Sequence, residues 1–208
     1  MELVRDFMRT YQQLIPKSPI MPDPVTQNLR YRLIDEEAQE LAEATNTKEY
    51  LDAIGDLLYV VYGAALAAGF SPHQVDAAFC EIHRSNMSKV WTDDEIDSMK
   101  TYQQLVPQRP VLPDPVTQNL RYRLIDEEAQ ELAEATNTKE YLDAIGDLLY
   151  VVYGAALAAG FHPHQVDAAF NEIHRSNMSK CWWRSALCGV RGRAGRWLLA
   201  ASSGRCVC

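Results

Sequence analysis

YRLIDEEAQELAEATNTKEYLDAIGDLLYVVY, residues 31–62, occurs again unchanged at residues 122–153. It is the centre of a longer repeat in which residues 10–89 match residues 101–180 with 73 identities in 80 pairs. A repeat of this length indicates a copied domain rather than a solenoid unit of about 20–50 residues. The sequence therefore predicts two domains, residues 1–91 and 92–180, and a dissimilar tail at residues 181–208. Any site in one copy is expected in the other.

Helical periodicity and helix-ending residues predict four helices in each copy and no strand. In the first copy they cover residues 3–14, 26–44 and 48–68, with a fourth from 72 to about 84 or beyond. Proline interrupts the chain between the first two, where helix cannot persist. Gly69 is expected to end the third helix and Ser71 to cap the fourth. The predicted fold class is all-α, with the two copies packing as a pseudo-dimer or a larger helical bundle.

Two sequence details bear on helix starts in the second copy. His162 occupies the position of Ser71, which predicts a fourth helix whose start is weaker by about 1 kcal/mol. Residues 92–95, Thr-Asp-Asp-Glu, form a capping-box pattern that predicts the start of the second copy's first helix.

Charge and composition exclude several classes of protein. The net charge is −8, and the tail holds five Arg and no acid, so the duplicated part carries −13. This balance argues against a nucleic-acid binder, which needs a basic face. The longest apolar run, residues 57–70, is too short to span a bilayer, and no signal peptide is apparent. We expect a cytoplasmic protein without membrane or nucleic-acid partners. The tail is interpreted as a non-homologous extension; alternatives are a Trp/Arg membrane-surface anchor and a thiol pair at Cys206 and Cys208.

Acidic side chains occupy positions where the helical period calls for apolar ones. With Leu33 as the centre of the second helix's apolar stripe, Glu37 and Glu40 lie within about 40° of it. In the third helix Asp52 and Asp56 share one face, one turn apart. Ionised carboxylates facing a core are costly unless a positive charge compensates them. Four oxygen donors without His or Cys predict Mg²⁺, or Mn²⁺. The second copy offers Glu128, Glu131, Asp143 and Asp147.

Other charged residues near these positions have alternative explanations. The helix dipole alone could account for Glu49 and Asp52, which lie early in the third helix. Glu43 fits a solvated helix face. The end of the fourth helix could hold phosphate oxygens opposite the metal, although the dipole also favours cations there. The candidates for this phosphate contact are Arg84, Asn86 and Lys89, with Arg175, Asn177 and Lys180 in the second copy.

The acidic pattern resembles that of the all-α nucleoside triphosphate pyrophosphohydrolases. This superfamily includes MazG-like proteins, dimeric dUTPases and phosphoribosyl-ATP pyrophosphohydrolase. The resemblance rests on Glu36-Glu37-x-x-Glu40 followed by Asp52-Ala-Ile-Gly-Asp56. Residues 31–89 are most similar to the phosphoribosyl-ATP pyrophosphohydrolase-like branch. The superfamily pattern continues with ExxD, but its Glu is replaced by Ala53. We assign that role to Asp52, with Glu49 as the alternative.

The resemblance implies Mg²⁺-dependent cleavage between the α and β phosphates of a nucleotide, which releases monophosphate and pyrophosphate. It also implies that Glu36 and Glu127 orient or deprotonate the attacking water. Because such enzymes generally act as dimers, the two copies are expected to pair within one chain, with pairing between chains as the alternative. Phosphoribosyl-ATP hydrolysis is the rival reaction. A non-catalytic scaffold that binds nucleotide or metal is the rival of another class.

Overall fold

The computed structural model describes residues 1–89 and 107–187, without the side chains of residues 180–187. Over these residues it contains seven helices and no strand, so the all-α prediction is confirmed. The helices are α1 (Glu2–Thr10), α2 (Pro24–Glu43), α3 (Thr47–Ala67), α4 (Pro72–Met87), α5 (Pro115–Glu134), α6 (Thr138–Ala158) and α7 (Pro163–Leu187). The capping-box pattern at residues 92–95 and the tail cysteines Cys206 and Cys208 lie outside the described residues.

The helix boundaries differ from the predicted ones where capping residues were overlooked. Asp23 caps α2, and its Oδ1 accepts hydrogen bonds from the backbone of Val25 and Thr26 at 3.0 and 3.1 Å. Because Pro24 suits the first helical position, α2 begins two residues before the prediction. The first helix was predicted to residue 14 but ends at Thr10, since Gln12 has a φ of 54°. By contrast, α7 is longer than predicted. It passes the predicted domain boundary at residue 180 and continues through the first seven residues of the tail, which contain neither Gly nor Pro.

The predicted end of α3 and the predicted start of α4 are confirmed. Gly69 follows α3 with a φ of 77°, which a side chain would disfavour. Ser71 and Gln74 form a complete capping box at the start of α4. In the second copy the backbone N–H of His162 still donates to Gln165 Oε1 at 2.9 Å. The side chain of Gln165 therefore keeps one of the two hydrogen bonds of a capping box. The weaker helix start at this position stays a prediction.

The two copies share one hydrophobic core and so pack as a pseudo-dimer, as predicted. Within each copy the second helix packs on the third; between copies α2 packs on α5 and α3 on α6. Matching side chains from both copies are fully buried in this core: Ile34, Leu41, Tyr50, Ile125, Leu132 and Tyr141.

Glutamine side chains form hydrogen bonds between α2 and α5 near the ends of the two helices. Gln27 Nε2 lies 3.0 Å from each of three carbonyl oxygens at the end of α5, those of Leu132, Ala133 and Ala135. Gln118 Nε2 donates to the carbonyl of Ala44, just after α2, at 3.0 Å. The last carbonyl groups of a helix have no partner within that helix, so a glutamine of each copy supplies hydrogen bonds at the end of a helix of the other copy.

The fourth helices cross between the copies. α4 of the first copy packs on α6 of the second, and α7 packs on α3. Two tyrosine–histidine contacts mark these interfaces: Tyr59 Oη lies 3.1 Å from His174 Nδ1, and Tyr150 Oη lies 3.5 Å from His83 Nδ1. Each third helix is therefore covered by a helix of the other copy.

The core accounts for the apolar composition of the third helices. By length and composition both α3 and α6 could cross a membrane, but 72% of the most apolar stretch of α3 is buried inside the protein. The share is 50% for α6, partly because α1 covers Leu66 whereas the equivalent Leu157 is 56% exposed. The cytoplasmic location and the absence of membrane partners stay predictions.

Candidate active site

The buried stripe of α2 is displaced from the position that the sequence predicted. Its fully buried members are Ile34, Ala38 and Leu41, whereas Leu33 is only partly buried. Glu37 lies about 60° from Ile34 and is partly exposed, and Glu40 is exposed. The prediction that Glu40 lies inside the stripe is therefore wrong. The helical wheel had been centred on Leu33, whereas the buried residues are centred near Ile34, and Glu40 lies about 120° from that residue.

In the second copy the predicted carboxylates approach one another. Burial, together with the negative charges of Asp147, Glu131 and Glu127, raises the pKa of Glu128 to about 7. Burial and the charges of Glu131 and Asp143 raise the pKa of Asp147. Glu128 and Asp147 are half-buried, while the other three are exposed. All five acids predicted in this copy thus form one electrostatic cluster across α5 and α6, which we name the second-copy acid cluster.

In the first copy a pocket of about 290 Å³ lies between the end of α2 and the start of α3. Four carboxylates line it, from Glu40, Glu43, Glu49 and Asp52, together with Ala44 and Ala53. Glu36 is exposed, and Glu37 and Asp56 are partly exposed. Two residues of this region were not predicted to take part: Glu43, and Lys48, whose Nζ lies 3.3 Å from Asp52 Oδ2. The spacing of Lys48 and Asp52, four residues apart on one helix, could have indicated that pair.

The geometry favours Asp52 over Glu49 as the fourth acidic member. Glu49 Oε2 accepts hydrogen bonds from the backbone N–H and the hydroxyl of Thr45, both at 2.8 Å, and they lower the pKa of Glu49. Glu140 makes the same bonds with Thr136 in the second copy. These glutamates therefore stabilise the turn before the third helix. Asp143, the counterpart of Asp52, lies close enough to Asp147 to raise its pKa.

The donor set is chemically suited to a hard divalent cation. Over residues 1–89 and 107–187, however, no group of three or more acidic, His or Cys side chains is arranged to hold a metal ion as it stands. The members of the second-copy acid cluster repel one another, and all of them offer carboxylate oxygens, the ligands that Mg²⁺ prefers. A cation among them would relieve that repulsion. Binding of Mg²⁺ stays a prediction, and it would require side-chain rotations.

The basic residues predicted for phosphate binding differ in what holds them. Arg84 Nε donates to Glu81 Oε2 at 3.0 Å, and Arg175 Nε to Glu172 Oε2 at 2.9 Å, in exposed pairs within one helix. Lys89 Nζ donates to Asn86 Oδ1 at 2.7 Å. Asn177 is partly exposed, and the side chain of Lys180 lies outside the description.

Because the fourth helices cross, basic and acidic groups from different copies come near enough to affect each other electrostatically. Lys89 of the first copy acts on Asp147 of the second, lowering its pKa against the larger effects that raise it. On the other side, the hydrogen bond from Arg175 lowers the pKa of Glu172, and Lys48 of the first copy lowers it further. The second-copy acid cluster therefore has a lysine of the first copy beside it.

The family model of phosphoribosyl-ATP pyrophosphohydrolase matches residues 4–86 and 97–177. The chain belongs to this family. The family is part of the MazG-like, all-α nucleoside triphosphate pyrophosphohydrolase superfamily, so the resemblance seen in the sequence is confirmed. The first matched segment covers nearly all of α1 to α4, and Lys89 and Lys180 lie three residues beyond the two segments.

Sequence similarity extends to one viral protein. The chain is 30% identical over 174 residues to an uncharacterized protein, L479, of Acanthamoeba polyphaga mimivirus. The alignment covers 76% of this chain and 60% of that protein, so the chain spans less than two thirds of its relative. No solved structure matches the chain significantly.

Proposed function

We propose that the protein is a Mg²⁺-dependent pyrophosphohydrolase that cleaves nucleoside triphosphates between the α and β phosphates. The supporting observation is the second-copy acid cluster, where burial and neighbouring acids raise the pKa of Glu128 to about 7. Carboxylates that repel one another in a half-buried site are favourable only when a cation or a proton joins them. A triphosphate brings Mg²⁺ with it, and the family is one of pyrophosphohydrolases.

Each predicted residue has a role in this reaction. Glu128, Glu131, Asp147 and Asp143 would hold Mg²⁺ in the second copy, and Glu37, Glu40, Asp56 and Asp52 in the first. The ion would supply neutralisation of the phosphate chain.

The remaining roles fall to side chains around the acids. Glu127 and Glu36 are exposed beside them, where each could orient a water molecule and accept its proton as the water attacks phosphorus. The bond from that phosphorus to the oxygen that bridges the α and β phosphates then breaks, and the oxygen stays with the other product. Lys89 and Asn86 would contact the outer phosphates, as would Arg84 once it exchanges Glu81 for phosphate oxygens.

Product analysis tests this proposal. The purified full chain is incubated with ribo- and deoxynucleoside triphosphates, with and without Mg²⁺, and pyrophosphate is measured against free phosphate. We expect pyrophosphate and monophosphate in equal amounts, only with the metal. Glu37→Gln combined with Glu128→Gln should abolish the activity. The control, Asp76→Asn with Asp167→Asn, changes exposed acids on α4 and α7 and should retain it.

Phosphoribosyl-ATP is the second candidate substrate, favoured by the family that matches both copies. Its hydrolysis would use the same acids and release the same pyrophosphate, so it belongs in the same panel. The ratio of kcat/KM values decides between the substrates. Metal binding without product from any of them would instead indicate a non-catalytic, nucleotide- or metal-binding scaffold.

A further inference from the structure

In both α3 and α6 a glycine directly precedes the last acidic residue of the helix. It lies where a helix of the other copy packs across, α7 on α3 and α4 on α6. Gly146 comes before Asp147 on α6, and Gly55 comes before Asp56 on α3. Both glycines are buried. Glycine is unfavourable inside a helix, so a packing reason for it is expected at these positions.

The packing reason is a close approach of the crossing helices. A Cβ atom added to Gly146 would lie 2.4 Å from Ile82 Cδ1 and 3.4 Å from the backbone carbonyl carbon of Ala78 on α4. A Cβ atom added to Gly55 would lie 2.3 Å from Ile173 Cδ1 on α7. The nearest backbone atoms of α7 would be 3.6 Å away from it. In both copies, one isoleucine methyl group fills the space that an alanine would need.

This close approach lies on α4, shortly before the lysine that acts on the acids. Ile82 is five residues before the end of α4 at Met87, Lys89 follows that end by two residues, and Lys89 is close enough to Asp147 to act on it electrostatically. Farther along the same interface Tyr150 Oη lies 3.5 Å from His83 Nδ1. The separation of α4 and α6 at Gly146 therefore determines how near Lys89 comes to the acid cluster.

We propose that Gly146 is a positioning residue that lets α4 approach until Lys89, just beyond its end, reaches the acids of the second copy, and that Gly55 allows the same close approach of α7 to α3. For its catalytic meaning the inference rests on the proposed function. An alanine at either glycine would push the crossing helix outward or force its isoleucine into another rotamer. Displacements of about 1 Å can cost an enzyme about a hundredfold in rate.

A methyl exchange across the interface tests the proposal. Gly55→Ala with Gly146→Ala adds a methyl group to each acidic helix. Ile82→Val with Ile173→Val removes the Cδ1 atoms that those methyl groups would meet. The fourfold variant thus moves one methyl group from each crossing helix to the helix beneath it. Gly154→Ala is the control, because on the same α6 its Cβ would meet only Arg121 Nη1, at 3.5 Å.

Carbodiimide cross-linking, read by mass spectrometry, reports on the distance without depending on activity. In the wild-type protein we expect Lys89 to be joined to an acid of α6. The alanine pair should lose most of this product, and the fourfold variant and Gly154→Ala should retain it. An unchanged yield in the alanine pair would overturn the proposal, as would a loss that the valines do not restore.

Steady-state kinetics then tests the catalytic meaning. The alanine pair should raise KM for the nucleotide about tenfold or more, and the fourfold variant should return it to near the wild-type value. A merely structural role would lower the amount of folded enzyme and leave KM unchanged. If the cross-link follows the prediction while the wild-type protein releases no pyrophosphate, the proposed function is wrong and the positioning geometry is still supported.

Discussion

Glutamine in place of Glu128 should stabilise the protein above pH 7 when no divalent cation is present. The folded structure raises the pKa of this carboxyl from 4.5 to about 7, through burial first and then through Asp147, Glu131 and Glu127. One pKa unit corresponds to about 1.4 kcal/mol, so ionising Glu128 in the folded state costs at most about 3.5 kcal/mol. Glu128 is only half-buried, and solvent screening reduces the expected gain to about 1–2 kcal/mol.

The pH dependence of this gain has a defined sign. Between pH 4.5 and pH 7 the folded protein holds a proton on Glu128 that the unfolded chain has released. The free energy of unfolding of the wild-type protein therefore falls as the pH rises through this window. Below it Glu128 is neutral in both states, and glutamine, which has the same shape, should make no difference. Above it the gain should be complete.

Urea unfolding in the presence of a chelator, at pH 4.5 and at pH 8, measures the effect. Glu134→Gln is the matched control, because Glu134 is an exposed glutamate on the same α5, outside the acid cluster. It should change the free energy of unfolding by less than about 0.5 kcal/mol. Added Mg²⁺ should stabilise the wild-type protein more than Glu128→Gln. If glutamine at this position is neutral or destabilising at pH 8, the second-copy acid cluster does not carry the repulsion described above.

Four further substitutions test the fold by urea unfolding. Gln27→Ala removes the donor for three carbonyl oxygens at the end of α5 and should lower the free energy of unfolding by about 1–2 kcal/mol. Gly69→Ala should lower it by at least about 1 kcal/mol, because φ is 77° there and the new Cβ would lie 2.4 Å from the carbonyl oxygen of Ser18. Ser71→Ala should cost about 1 kcal/mol, whereas His162→Ser should gain a similar amount by restoring the missing cap.

The helices could be predicted because local residues determine them. The long apolar run after Asp56 and the glycine at position 69 indicated α3 and its end, and the structure agrees to within one residue. The start of α2 was missed although Asp23-Pro24 is a plain capping signal. The end of α1 could not be read so easily, since it depends on a left-handed Gln12, a residue with no special preference for that conformation.

The sequence brought acids together that lie near one another in the structure, and their role in a site stays a prediction. Helical spacing correctly brought together Glu128 and Asp147 with their neighbours. It misplaced Glu40, because the stripe was centred on Leu33 and not on the neighbouring Ile34. It also left Glu49 and Asp52 as alternatives. The hydrogen bonds from Thr45 that separate their roles depend on how the chain turns before α3.

The crossing of the fourth helices could not be predicted, and the duplication itself is the reason. Gly55 and Gly146 have the same neighbours in sequence, and so do Ile82 and Ile173. A contact between a glycine and an isoleucine of its own copy would satisfy the same apolar pattern as the contact across copies. The sequence pattern does not decide between them. Sequence can therefore identify the acids and the basic residues here, but the structure is needed to show that Lys89 of the first copy lies near the acids of the second.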